Sequence, residues 1–181
     1  MRVFVAVDLP PKIRKTLKEL QQQLRQLTAS ARWVSTESIH ITLKFIGEVH
    51  ETRIAEIHNV LSSLRQEAFD VAVRGVGFFS EKRSPRVFWV GLETAVLSKL
   101  AEDIESRMER IGFEKDKRPF QPHVTLARAR DNRIDPSLVA TASKLSQHVF
   151  GAFTVHRFFL IQSTLKPTGA VYNKLKEYTL G

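Results

Sequence analysis

His40-Ile41-Thr42-Leu43 and His123-Val124-Thr125-Leu126 write one pattern twice: histidine, apolar, threonine, apolar, at positions 83 residues apart. The spacing extends well beyond these tetrapeptides. Ile13 and Val96, and Leu17 and Leu100, are also 83 apart. Phe69 and Phe153, Val71 and Val155, Val87 and Val171, Phe88 and Tyr172, and Glu93 and Glu177 are 84 apart. Residue types agree at positions that would face a core, so the chain reads as an internal duplication, approximately 1–93 and 94–181. Two copies are too few for a solenoid, which needs roughly three or more stacked units. No Pro/Gly/Ser-rich linker separates the halves, so one bilobal domain over 1–181 is expected.

Local patterning supplies the elements. Pro10-Pro11 suits a helix start, since proline at the first helical position gives up no needed donor. Ile13, Leu17, Leu20, Leu24 and Leu27 then recur at spacings of four and three, an amphipathic helix. Residues 39–46 alternate and are rich in β-branched types, a strand. Ile54, Ile57, Leu61 and Leu64 predict a second helix. Val71 and Val73 begin a strand that Gly75 and Gly77 interrupt, as a bulge does; Ser80 to Pro85 reads as a hairpin turn and Val87 to Val90 as the returning strand. In the second half, Leu97, Leu100, Ile104 and Ile111 predict a helix, Val124 to Ala127 a strand, and Leu138, Ala142, Leu145 and Val149 another helix. Phe153 to Ile161 is a strand, Lys166-Pro167-Thr168-Gly169 a turn, and Val171 opens a last strand. The class is α+β with two pseudo-symmetric lobes, strands inside and helices outside.

In a strand, residues i and i+2 share a face, so each motif histidine stands beside its threonine while the apolar partners pack the other way. A given histidine starts such a pattern by chance with probability on the order of 0.01. Two in register at equivalent positions of a repeat are therefore informative. Imidazole titrates near neutrality, so one can serve as base and another as acid. Opening a cyclic phosphodiester needs water deprotonated on one side of phosphorus and a sugar oxygen protonated on the other, which two opposed histidines can do without a metal. The hydroxyls of Thr42 and Thr125 can donate to the non-bridging oxygens as charge develops. A metal site is the rival reading, but two histidines are too few and neither motif holds a carboxylate. Both histidines as ordinary sheet residues is the other. No Gly-x-Ser-x-Gly elbow is present to support a serine triad. No cofactor is expected. The residues alone do not say which histidine is the acid.

Composition narrows the setting. The chain has no cysteine, which excludes disulfides and thiolate metal sites and points to a reducing cytoplasm. The apolar run in Met1-Arg2-Val3-Phe4-Val5-Ala6-Val7 is too short for a secretory segment or a membrane span and reads as a buried first strand. The formal net charge of +9 suits a phosphate polyanion as partner. Positive residues gather in Lys82-Arg83-Ser84-Pro85-Arg86, Lys115-Asp116-Lys117-Arg118, and Arg128-Ala129-Arg130 with Arg133. These are either solvated loop charge or the approach to a phosphate site.

With these residues in place, the chain resembles the two-histidine phosphoesterase superfamily, and within it the RNA 2',3'-cyclic phosphodiesterases, long called 2'-5' RNA ligases. The likeness runs from Arg2-Val3-Phe4-Val5-Ala6-Val7-Asp8 through His40-Ile41-Thr42-Leu43-Lys44-Phe45-Ile46-Gly47-Glu48 and Pro85-Arg86-Val87-Phe88-Trp89. It continues in His123-Val124-Thr125-Leu126-Ala127-Arg128 and Ser163-Thr164-Leu165-Lys166-Pro167, with Gly169 and Tyr172 beyond. The resemblance implies antiparallel sheets lining a central cleft. It implies His40 as proton donor to the departing 3'-oxygen and His123 as proton acceptor from water, leaving a 2'-phosphomonoester. The partner is then an RNA with a 2',3'-cyclic phosphate end, with 2'-5' ligation as the reverse reaction, and the protein is expected to be monomeric.

Three further positions are candidate substrate-binding residues. Alternation places Lys44 with His40 and Thr42, where its charge would meet phosphate. The same rule turns Arg128 away from His123, yet the resemblance puts it near the phosphate, which requires a bulge or a strand end at Ala127. Phe45 is able to stack a base, although alternation favours it as core. His50, His58, His148 and His156 stand outside the motif and carry no special pattern. The competing function is a non-catalytic RNA-binding module that uses the basic cleft as an anion trap.

Overall fold

The structure, a computed structural model, describes residues 1–81, 84–167 and 169–181, and of Ser80 and Glu81 the backbone alone. Lys82 and Arg83 of the expected hairpin and Thr168 of the expected last turn lie outside the described residues. Nine strands are described: β1 (Arg2–Asp8), β2 (Ala31–Trp33), β3 (His40–Glu48), β4 (Phe69–Glu81), β5 (Ser84–Glu93), β6 (His123–Ala129), β7 (Val149–Val155), β8 (Arg157–Lys166) and β9 (Gly169–Thr179). The α-helices are α1 (Pro11–Arg25), α2 (Ile54–Ser62), α3 (Ala95–Arg110) and α4 (Pro136–Ser143). The strands form two sheets, one in the order β3-β1-β8-β9 and the other in the order β2-β6-β5-β4-β7. Every pairing is antiparallel. The expected α+β class with antiparallel sheets is the one observed.

Each sheet takes strands from both halves of the chain. The helices are shared in the same way, with α2 and α3 against the first sheet and α1 and α4 against the second. Apolar residues of α1 (Ile13, Leu17, Leu20, Leu24) and α3 (Leu97, Leu100, Ile104, Met108) belong to one continuous buried cluster. Fully burying such a side chain stabilises by about 1.5–3 kcal/mol, so the matched apolar stripes of the repeat hold helices to sheets. Among the described residues no helix is long and apolar enough to cross a membrane.

Several local expectations change. The single strand expected over Phe153 to Ile161 is divided at His156 into β7 and β8, which belong to different sheets. The helix α4 stops at Ser143, and Val149 opens β7 with 60% of its surface exposed. Leu27 lies beyond the end of α1 and is exposed. The three-residue β2 gave no sequence signal, being too short for any periodicity. The bulge expected at Gly75 is present as a register shift between Val73 and Val76. Gly75 has φ of 70°, and a Cβ there would meet the Ser146 carbonyl oxygen at 2.5 Å, so only glycine fits.

Candidate active site

The strands β3 and β6 begin at His40 and His123, and each histidine is fixed in the same way. Nδ1 of His40 is 2.8 Å from the carbonyl oxygen of Ser38, and Nδ1 of His123 is 2.7 Å from that of Gln121. A carbonyl oxygen only accepts, so Nδ1 carries hydrogen and donates in both rings. Nε2 of each imidazole is left for whatever enters between them. The rings are wedged by aromatics. His40 packs against Phe4 at 4.8 Å and edge-on against Tyr172 at 5.1 Å between centroids. His123 packs edge-on against Phe79 at 4.8 Å, with Trp89 at 6.3 Å.

This apolar packing sets the electrostatics. Burial penalises the charged imidazolium and lowers the pKa of both histidines from 6.5. For His40 the bond to Ser38 and the carboxylate of Asp8 pull the other way, while Arg14 adds to the lowering. For His123 the bond to Gln121 opposes the lowering and the charge of Arg128 reinforces it. Both rings therefore favour the neutral form when the site is empty.

One cavity of about 220 Å³ is lined by His40, Thr42, Phe45, His123, Thr125 and Arg128 together. Among the described residues neither threonine hydroxyl is engaged in a hydrogen bond, so both are available as donors. Arg2, Phe4, Val34 and Tyr172, to which the sequence pattern assigns no role, also line the cavity. Phe4 and Tyr172 stand within stretches that carried the family resemblance, and alternation from Asp8 back to Phe4 places Phe4 on the cleft face.

Lys44 does not reach this cavity, which corrects the expectation from alternation. It is 4% exposed, and its Nζ donates to Glu105 Oε1 at 2.5 Å and to the carbonyl oxygen of Glu114 at 2.9 Å. The cause is a bulge. On β1 the step from Val5 to Ala6 is matched on β3 by a step from Lys44 to Thr42, so Leu43 is the extra residue. Leu43 and Lys44 are consecutively buried and Phe45 swings to the cleft side, 57% exposed, rather than into the core. The other motif repeats this. Phe88 pairs with Ala127 and Trp89 with Thr125, leaving Leu126 as the extra residue. Arg128 is thereby brought to the side of His123 and Thr125 by the irregularity that its placement required. The carbonyl oxygen of Leu126, at the bulge, accepts from Val34 N at 2.9 Å and from the buried Gln21 Nε2 at 3.1 Å. Gln21 also donates to Val34 O at 2.9 Å, so α1 braces the bulge and β2 together.

Comparison with known proteins agrees with this duplicated geometry. The sequence model of the family described as LigT-like phosphoesterase matches twice, over residues 7–89 and 90–172. The chain belongs to the LigT-like phosphoesterase family. Among relatives of the family, the RNA 2',3'-cyclic phosphodiesterase of Archaeoglobus fulgidus is 36% identical over 179 residues, covering 98% of this chain and 99% of the relative. The protein of the same name from Thermotoga maritima is 35% identical over 191 residues, covering 98% and 94%. A crystal structure from Thermus thermophilus superposes with a TM-score of 0.86 at 29% identity, covering 99% of this chain and 98% of that one. Escherichia coli LigT complexed with 3'-AMP gives a TM-score of 0.80 at 28% identity, covering 99% and 97%. The two family matches meet within β5.

Proposed function

We propose that this chain is an RNA 2',3'-cyclic phosphodiesterase that hydrolyses the cyclic end to a 2'-phosphomonoester by paired histidine acid–base catalysis. The observation that carries the reading is the matched pair of imidazoles in one cavity, each with Nδ1 committed to a carbonyl and Nε2 left over. Support comes also from the name borne by the Archaeoglobus and Thermotoga relatives over nearly the full length of the chain.

In this reading His123 takes a proton from water through Nε2, and the water oxygen forms the new bond to phosphorus. The bond from phosphorus to the 3'-oxygen breaks, and His40 delivers a proton to that oxygen. The hydroxyls of Thr42 and Thr125 and the guanidinium of Arg128 hold the non-bridging oxygens as their charge rises in the transition state. Entry of the anionic phosphate raises the histidine pKa values from their depressed state, which readies one ring to be charged while the other remains neutral. Running the same steps backwards joins a cyclic phosphate to a 5'-hydroxyl as a 2'-5' linkage.

The test is incubation with a short RNA ending in a 2',3'-cyclic phosphate, in EDTA, with the product typed as a 2'- or a 3'-phosphate. Each proton transfer contributes a factor of about 100 to 10,000, so His40→Ala and His123→Ala should each lose at least about 100-fold in kcat. A 2'-phosphate formed in EDTA and lost in both variants is the expected result. Turnover that survives both substitutions removes the mechanism. Absence of turnover with RNA affinity retained leaves an RNA-binding module in its place.

A further inference from the structure

A pair of like charges stands side by side at the β2 edge of the second sheet, and one of the two, Arg128, lines the cleft. The short strand β2 sets Arg32 directly opposite Arg128 of β6. Residues directly opposite in an antiparallel pair stand on the same face, rooted about 5 Å apart. Arg128 lines the cavity, and so does Val34, which directly follows the end of β2 two residues beyond Arg32. Trp33, between them, turns the other way and packs edge-on against the buried Phe88 at 6.2 Å. Arg32 and Arg128 are exposed, and among the described residues no carboxylate pairs with either.

Like charges placed directly opposite one another destabilise a sheet. This arrangement is nonetheless firmly held. Thr28 and Ser30 both donate to Asp135 Oδ2, at 2.6 and 3.1 Å, and Ser30 O accepts from Arg130 N at 2.8 Å, which fixes the entry to β2. Gln21 and Leu126 fix its exit at Val34. A strand anchored at both ends that presents two unneutralised guanidiniums on one face is suited to an anion carrying more than one charge centre. Two successive phosphates of one nucleic-acid strand supply such a ligand, and guanidinium forks match phosphate oxygens in pairs.

We infer that Arg32 holds the phosphodiester on the 5' side of the terminal nucleoside while Arg128 serves the cyclic phosphate, so that the site selects oligonucleotide ends over mononucleotides. This rests on the cyclic phosphodiesterase reading above. A nucleoside 2',3'-cyclic monophosphate has no second phosphate and leaves Arg32 empty.

The test compares a nucleoside 2',3'-cyclic monophosphate with a dinucleotide ending in the same cyclic phosphate, for the wild type, Arg32→Gln and Arg32→Lys. The wild type should favour the dinucleotide in kcat/KM, and Arg32→Gln should shrink that ratio by about 10- to 100-fold, the range of one charge-assisted hydrogen bond. Arg32→Lys should retain part of it as a point charge. The salt dependence of kcat/KM on the dinucleotide should flatten in Arg32→Gln by a slope of about 0.7, one phosphate contact on a single strand. A wild type without preference, or an equal loss on both substrates, overturns the inference. Calorimetric affinity for the mono- and dinucleotide 2'-phosphates gives the same comparison without turnover. A protein that binds but does not hydrolyse removes the hydrolase reading, and the affinity ratio then decides on Arg32 alone.

Discussion

Replacing Lys44 with methionine removes a buried charge while keeping most of the length of its stem. The Lys44 side chain is 2% exposed and that of Glu105, its partner, 15%. Deleting one member of a buried ion pair costs about 3–5 kcal/mol, because the other charge stays buried without compensation. Glu105 retains some contact with water and keeps the Asp116 amide at 2.9 Å, so a smaller loss of about 2–3 kcal/mol is expected. For a chain of this size that lowers Tm by about 4–12 °C. Urea denaturation measures it directly. Adding Glu105→Gln should restore most of the loss, since the neutral amide needs no cation and still accepts from Asp116. The reaction should change little in Lys44→Met, because the ammonium faces α3 and not the cleft. Wild-type stability in Lys44→Met, or a hundredfold fall in kcat/KM in a protein that remains folded, would refute this reasoning and return Lys44 to the phosphate.

The lowered histidine pKa values fix the direction of two pH effects. The proposed mechanism needs the acid protonated and the base neutral in the unliganded protein, so kcat/KM should peak on the acid side of 6.5; a peak well above about pH 7 contradicts the pairing. The same shifts make the unfolded chain bind more protons, so stability is fully present above 6.5 and is lost as pH falls toward the depressed values, which denaturation across that window will show. Arg128→Gln removes a positive charge that depresses His123, so NMR titration of that imidazole should move upward; an unmoved titration separates the two residues. Gly77→Ala places a Cβ 2.2 Å from Trp89 Cζ2, which forces the ring that backs His123 to shift and should cost about 1–3 kcal/mol in urea denaturation.

Much of the site was legible before the fold. The repeat spacing aligned His40 with His123 and Thr42 with Thr125, and strand alternation put each pair on one face, which is how they line the cavity. Unbroken alternation turns Lys44 to the cleft and Phe45 to the core; the bulge reverses both, which leaves Phe45, the base-stacking candidate, in the cavity lining. The repeat itself carries the bulge. Lys44 aligns with Ala127 and Phe45 with Arg128, so the bulge required at Ala127 implies its twin at Lys44, with Lys44 turned inward and Phe45 toward the cleft. Nothing local signalled that Phe153 to Ile161 breaks at His156, because both pieces are apolar and extended, and only pairing shows that they serve different sheets.

The sequence by itself determined the duplication, the α+β class, and the two histidine–threonine pairs, because these depend on periodicity and residue type along one strand or helix. The tertiary structure decided which strands share a sheet, and that each sheet draws on both halves of the chain. It decided that Lys44 meets Glu105 across 61 residues and that Arg32 stands beside Arg128. It also decided that aromatic rings from β1, β4, β5 and β9 pack around the imidazoles, whose burial lowers their pKa values. Those outcomes depend on contacts between segments far apart in the chain, for which local pattern carries no term.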